Sequence, residues 1–119
     1  MKPINEWIRE LREDRDLSQT YIAEVLGIQQ QTYSKYETGE YSLPIRHLKA
    51  LAAFYQTNTD YILQLTQFKQ PLQVLEKPFL DTVDLSVFMS EALSLNKKNR
   101  DRLWSYLQYL KGTEHTDIK

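Results

Sequence analysis

Apolar residues in the first part of the chain recur at helical rather than strand spacing. Ile4, Trp7, Ile8 and Leu11 lie 3, 1 and 3 positions apart, one stripe of a helix whose other face carries Glu6, Arg9, Glu10, Arg12, Glu13 and Asp14. Pro3 suits its first turn, where a missing N–H is not needed, and the helix should fray near Asp16. Ser18 is a good N-cap for a second helix over 19–26, with Ile22, Ala23, Val25 and Leu26 apolar and Gly27 as its C-terminal stop. A third helix, 30–38, follows after a very short turn and is stopped by Gly39. Tyr41-Ser42-Leu43-Pro44 reads as a loop, and Pro44 opens a fourth helix with the stripe Leu48, Leu51, Ala52 and Tyr55. Asn58 can cap a short fifth helix bearing Tyr61, Ile62 and Leu65.

From Gln67 the texture changes. Residues 68–82 contain Pro71 and Pro78 but also Leu72, Val74, Leu75, Phe79 and Leu80, too apolar for a free linker, so this connecting segment (67–82) is expected to lie against something. Residues 84–95 predict a helix with Leu85, Phe88, Ala92 and Leu95 on one side. Asn96 can cap a last helix through Lys111, with Leu103, Leu107 and Leu110 facing inward, Gly112 closing it and a frayed tail after it. The two would form a helical hairpin over 83–119. Their apolar stripes exceed what a hairpin covers alone, which makes Leu85, Phe88, Ala92, Leu95, Leu103, Leu107 and Leu110 the expected dimer surface.

Composition fits this picture. The 119 residues include only 3 glycines and 4 prolines, which favours an all-α chain. Hydrophobic content of 41% and charged content of 26% are ordinary for a globular protein. No run of 18 apolar residues occurs, and Met1-Lys2-Pro3 passes straight into charged sequence, so a cytoplasmic location is expected and no membrane partner. With no cysteine, disulfides and thiolate chemistry drop out. His47 and His115 are far apart and read as a solvated helix position and a tail position, so no metal and no cofactor are expected. No Asp or Glu stands in the isolated apolar setting of a tuned acid–base pair, which argues against an enzyme.

The chemistry lies in the tight pair of helices over 18–38, whose geometry is that of a helix-turn-helix. Ala23 is small where the two would cross, and Gly27 permits the turn. Ile22, Leu26, Ile28, Tyr33 and Tyr36 face the core, which leaves Gln30, Gln31, Thr32, Ser34 and Lys35 outward on the third helix. A merely solvated face is usually rich in Glu and Lys. Three consecutive glutamines, Gln29 to Gln31, just after a turn glycine instead suit base edges, since glutamine can pair bidentately with adenine. Charge pulls the other way. Residues 1–66 hold seven Lys and Arg against nine Asp and Glu, whereas phosphate contact needs local positive charge.

The pattern Leu17-Ser18-Gln19, Ile22-Ala23, Leu26-Gly27-Ile28, Tyr33-Ser34-Lys35-Tyr36-Glu37, Gly39, Leu43-Pro44, Leu48, Leu51-Ala52, Tyr55 and Asp60-Tyr61-Ile62-Leu63 resembles the Cro and phage-repressor helix-turn-helix family. The resemblance implies a five-helix, lambda-repressor-like DNA-binding domain over 1–66, here with a C-terminal two-helix extension. It implies a sequence-specific regulator, a repressor, gripping double-stranded operator DNA as a homodimer with the third helix in the major groove. Base contacts would come from Gln30, Gln31, Ser34 and Lys35. Backbone contacts would come from Gln19, Thr20 and Tyr21 at the start of the second helix, and from Gln29, Thr32, Tyr41 and Arg46. Arg12 and Glu37 match a structural ion pair of the family. Two features depart from it. Gln29 replaces the usual Ser or Thr cap, and the loop after Gly39 is Glu40-Tyr41-Ser42 rather than basic. An antitoxin-like or adaptor module that keeps the fold is the alternative function.

Overall fold

Two helix starts in the first part of the chain are fixed by a side-chain cap. The structure, a computed structural model, describes residues 1–117, with side chains through residue 114. It divides into two units, Met1–Leu72 and Gln73–Lys119. In the first unit α1 spans Ile4–Glu13, α2 Gln19–Leu26, α3 Gln30–Thr38, α4 Ile45–Phe54 and α5 Thr59–Ile62. Ser18 Oγ accepts from Tyr21 N–H at 3.0 Å, and Asn58 Oδ1 accepts from Tyr61 N–H at 2.8 Å. Each thereby satisfies an amide that the first helical turn leaves without a partner. Gln29 precedes α3 with extended backbone but makes no side-chain cap.

The core gathers Ile8, Leu11, Ile22, Ala23, Tyr33, Tyr36, Leu51, Ala52, Tyr55 and Ile62 from all five helices, with Trp7, Leu26, Ile28 and Leu48 packed against it. Trp7 meets Tyr61 edge-on at 5.7 Å between ring centroids, joining α1 to α5. Asn58 does more than cap, because its Nδ2 also donates to the carbonyls of Phe68 and Gln70 at 2.9 and 2.8 Å. The first unit therefore holds the chain several residues past Thr66.

His47 corrects the sequence reading. It is buried, only 5% exposed, and its Nδ1 lies 3.1 Å from the Tyr36 hydroxyl. Its position four residues before Leu51 puts it on the inward stripe of α4, where Tyr36 satisfies the one ring nitrogen that burial would otherwise leave unpaired.

The second unit opens from a 3-10 turn, Leu72–Glu76, into an antiparallel hairpin of β1 (Pro78–Leu80) and β2 (Val83–Asp84). The connecting segment expected from sequence thus contains a small sheet. α6 (Leu85–Ser94) packs on that hairpin through Phe88, whose ring lies 4.4 Å from the ring of Phe79. Asp84 caps α6 by accepting from Val87 N–H at 3.0 Å. α7 runs over Lys97–Asp117, 21 residues, straight through Gly112. Gly112 does not close it, because its backbone does not take the left-handed conformation with which Gly27 and Gly39 end their helices. Arg100 donates to the carbonyls of Leu93 and Leu95, terminating α6. Leu107 and Leu110 are exposed rather than inward, since the hairpin, not α7, covers α6. The backbone of His115 is in α7, but its side chain lies outside the described residues. Among the described residues no helix is long and apolar enough to cross a membrane.

Candidate nucleic-acid interface

The α2–turn–α3 unit is set by one glycine and one alanine. Gly27 takes φ +71°, in the left-handed region that disfavours side chains, and Ile28 N–H then bonds the Ala23 carbonyl at 3.0 Å. Ala23 is buried where α2 and α3 pack. Tyr33 and Tyr36 fix α3 from below, meeting edge-on at 6.2 Å.

Arg12 and Glu37 form a bidentate ion pair beneath α3. Arg12 Nε donates to Glu37 Oε2 at 2.8 Å and Arg12 Nη2 donates to Oε1 at 2.9 Å. The remaining guanidinium arm donates to the Leu17 carbonyl at 2.8 Å. The two side chains are 12% and 2% exposed, so this is an interior pair. Burial pushes the Glu37 carboxyl up, but hydrogen bonds from Arg12 foremost, with another from Gln19, outweigh it and hold the group below its ordinary range. The same bond to Glu37 raises Arg12.

A relay of amides rises from this pair to the surface. Gln19 Nε2 donates to Glu37 Oε1 at 2.9 Å, and Gln30 Nε2 donates to Gln19 Oε1 at 2.7 Å. A carboxylate can only accept, so Glu37 turns the NH₂ end of Gln19 inward. The oxygen of Gln19 is then presented to Gln30, which must answer with its own NH₂. That leaves the Gln30 oxygen and one N–H for an outside partner. Gln19, expected at the DNA backbone, is therefore also the link that orients Gln30. The sequence carries no signal for this, because residues 19, 30 and 37 become neighbours only when α2 and α3 pack.

The other expected contacts surround Gln30. Gln31 is exposed, while Thr32, Ser34 and Lys35 are half-buried on the same helix. Lys35 Nζ lies 3.3 Å from the Tyr41 hydroxyl and 4.8 Å from the centroid of that ring. The loop that lacks basic residues thus steadies the cation of α3. Thr20, Tyr21, Gln29, Tyr41 and Arg46 are exposed, and Tyr21 leans on Phe54 at 5.9 Å.

Comparison with known proteins agrees with this geometry. A family model described as helix-turn-helix matches residues 8–62. The chain is 35% identical over 78 residues to YobD, an uncharacterized HTH-type transcriptional regulator of Bacillus subtilis, covering 60% of this chain and 70% of YobD. The chain belongs to the Cro/C1-type helix-turn-helix family. Its members are DNA-binding transcription regulators. AnsR, another HTH-type transcriptional regulator of Bacillus subtilis, is 31% identical over 81 residues, 67% of this chain and 70% of AnsR. The cryptic phage CTXphi transcriptional repressor RstR of Vibrio cholerae is 29% identical over 105 residues, 79% of this chain and 90% of RstR. No solved structure gives a significant match.

Proposed function

We infer that the protein is a sequence-specific repressor that binds operator DNA as a homodimer, with α3 in the major groove. The observation that carries this reading is the oriented Gln30. Its outward oxygen and N–H complement the N6 donor and N7 acceptor of adenine, and they oppose the two acceptors of guanine. A glutamine on a solvated helix would need no buried charge to fix which end points out. Gln31, Ser34 and Lys35 extend the reading face. Backbone contacts come from Gln19, Thr20 and Tyr21 at the N-terminus of α2, where free amides and the helix dipole favour phosphate, joined by Gln29, Thr32, Tyr41 and Arg46.

The acidic balance of the domain limits phosphate attraction, so base and shape contacts carry more of the affinity than in a basic domain. One α3 spans only a few base pairs, so two copies on two-fold half-sites make up the recognised length. RstR, alike over most of its own length, bears the name of a repressor, and occupation of an operator is the action that this likeness supports.

Selection of bound sites from a random DNA pool tests this. The expected outcome is a two-fold symmetric site with half-sites about 10 base pairs, or a multiple, apart. A pool with no enriched sequence overturns the reading and favours the adaptor or antitoxin-like alternative.

A further inference from the structure

α7 sets its charges against its own dipole. Lys97, Lys98, Arg100 and Arg102 crowd its first two turns, with Asp101 alone opposing them, while Glu114 stands toward the other end beside a single cation, Lys111. A lone helix is stabilised by the reverse arrangement, acidic residues first and basic residues last. Between these ends Leu103, Leu107 and Leu110 follow at spacings of 4 and 3, the narrow seam of a helix meeting one other helix. Asp101, Ser105 and Gln108 occupy the opposite side. Trp104 is 63% exposed, and Leu107 and Leu110 are 44% and 43% exposed.

Among its described residues the second unit also lacks an interior. No described residue from 73 to 114 is fully buried. A unit of this length is marginal even with a core, and the usual remedies are disulfides, metals or oligomerisation. The chain has no cysteine, and among the described residues no group of three metal-binding side chains is gathered.

We propose that α7 pairs with α7 of a second copy, antiparallel, about a two-fold axis near Leu107. This rests on the dimer reading above and adds its direction and register. Antiparallel pairing sets the basic start of each helix beside the end bearing Glu114 in the other. Arg100 comes level with Glu114 of the partner subunit, each seven residues from Leu107. Leu103 and the partner subunit's Leu110 interleave beside the axis, and the helix dipoles oppose. Parallel pairing would bring the four cations of each helix's first two turns together. The exposed apolar surface of this stripe is roughly 400 Å² per copy, against about 800 Å² per partner in a standard interface. The pair is therefore weak alone and tightened when two half-sites hold both copies.

Because the chain has no cysteine, an introduced thiol reports only its own surroundings. A disulfide needs Cα atoms within about 7 Å. Full-length Leu107→Cys is expected to cross-link to itself under mild oxidation without DNA. In Leu103→Cys the two thiols lie about 12 Å apart along the axis, at 1.5 Å per residue, so it stays uncoupled. The double variant Leu103→Cys with Leu110→Cys cross-links again. Circular dichroism of each reduced variant reports the fold. Equal cross-linking of Leu103→Cys and Leu107→Cys means parallel pairing and overturns the proposal. No cross-link in a chain that light scattering shows to be dimeric overturns it too, while leaving the dimer reading intact. A monomer at every concentration overturns both, and the site-selection experiment judges DNA binding independently.

Discussion

Glu37 is the residue on which the domain turns, since one buried carboxylate ties α1, α2 and α3 together. Arg12→Ala leaves it charged and unpaired in the interior, at an expected cost of about 3–5 kcal/mol. Urea melts of Arg12→Ala, Glu37→Ala and the double variant check this, with the double variant losing much less than the sum. Strict additivity would mean that the pair does not couple. His47 gives a second residue-scale expectation. Burial, with a smaller effect from Arg46, lowers it from its ordinary 6.5. A depressed basic group contributes stability in full above its unfolded value and loses it as pH falls below about 6.5. Glu37 is also depressed, so its contribution is lost only below its unfolded value of 4.5. Thermal melts between pH 7 and 5 are expected to show a decline that His47→Asn flattens, because the amide replaces the Nδ1 partner of Tyr36 without titrating there. An equal slope in both proteins would assign that decline elsewhere.

At the scale of elements, much was legible in the sequence. Ser18, Gly27, Gly39, Pro44 and Asn58 punctuate the chain where helix ends need those residues, so all five helices of the first unit could be placed from spacing and caps. What was not legible depends on contacts between elements. His47 looked solvated because histidine is usually polar surface, although its distance from Leu51 already marked the inward stripe of α4. The hairpin at Pro78–Asp84 was hidden because its strands are three and two residues long, too short to show alternation. Gly112 read as a stop, yet a glycine in an exposed helix costs only about 1 kcal/mol, which a long helix absorbs. α3 remains the weakest-capped helix of the reading head. Gln29→Ser should supply the missing acceptor and raise stability by about 1 kcal/mol, seen as a higher midpoint in urea. No change would mean that water already satisfies those amides.

For the whole molecule, the two units divide the labour. Every fully buried apolar side chain among the described residues lies in the first unit, so that unit holds its own core and carries the proposed reading face. The second presents an uncovered apolar surface and is expected to hold the copies together. A chain ending at Leu72 should keep its helical circular dichroism and sediment as a monomer at concentrations where the full chain is dimeric. Retention of the dimer by the short chain would place the contact in the first unit.

The proposed role of Gln30, oriented by a buried charge, is to read a base. It is tested most directly by the affinities of wild type, Gln30→Ala, Gln19→Ala and Lys35→Ala for a selected operator, and for the same operator with the base pair at Gln30 exchanged, across a salt series. Gln30→Ala should lose about 1–3 kcal/mol of discrimination at that base pair. Gln19→Ala should lose part of the same discrimination, because it frees the Gln30 amide to turn over. Lys35→Ala should weaken both DNAs alike and reduce the salt dependence by about one ion. Full discrimination in both glutamine variants would rule out base reading by Gln30 and leave the glutamine face a solvated surface.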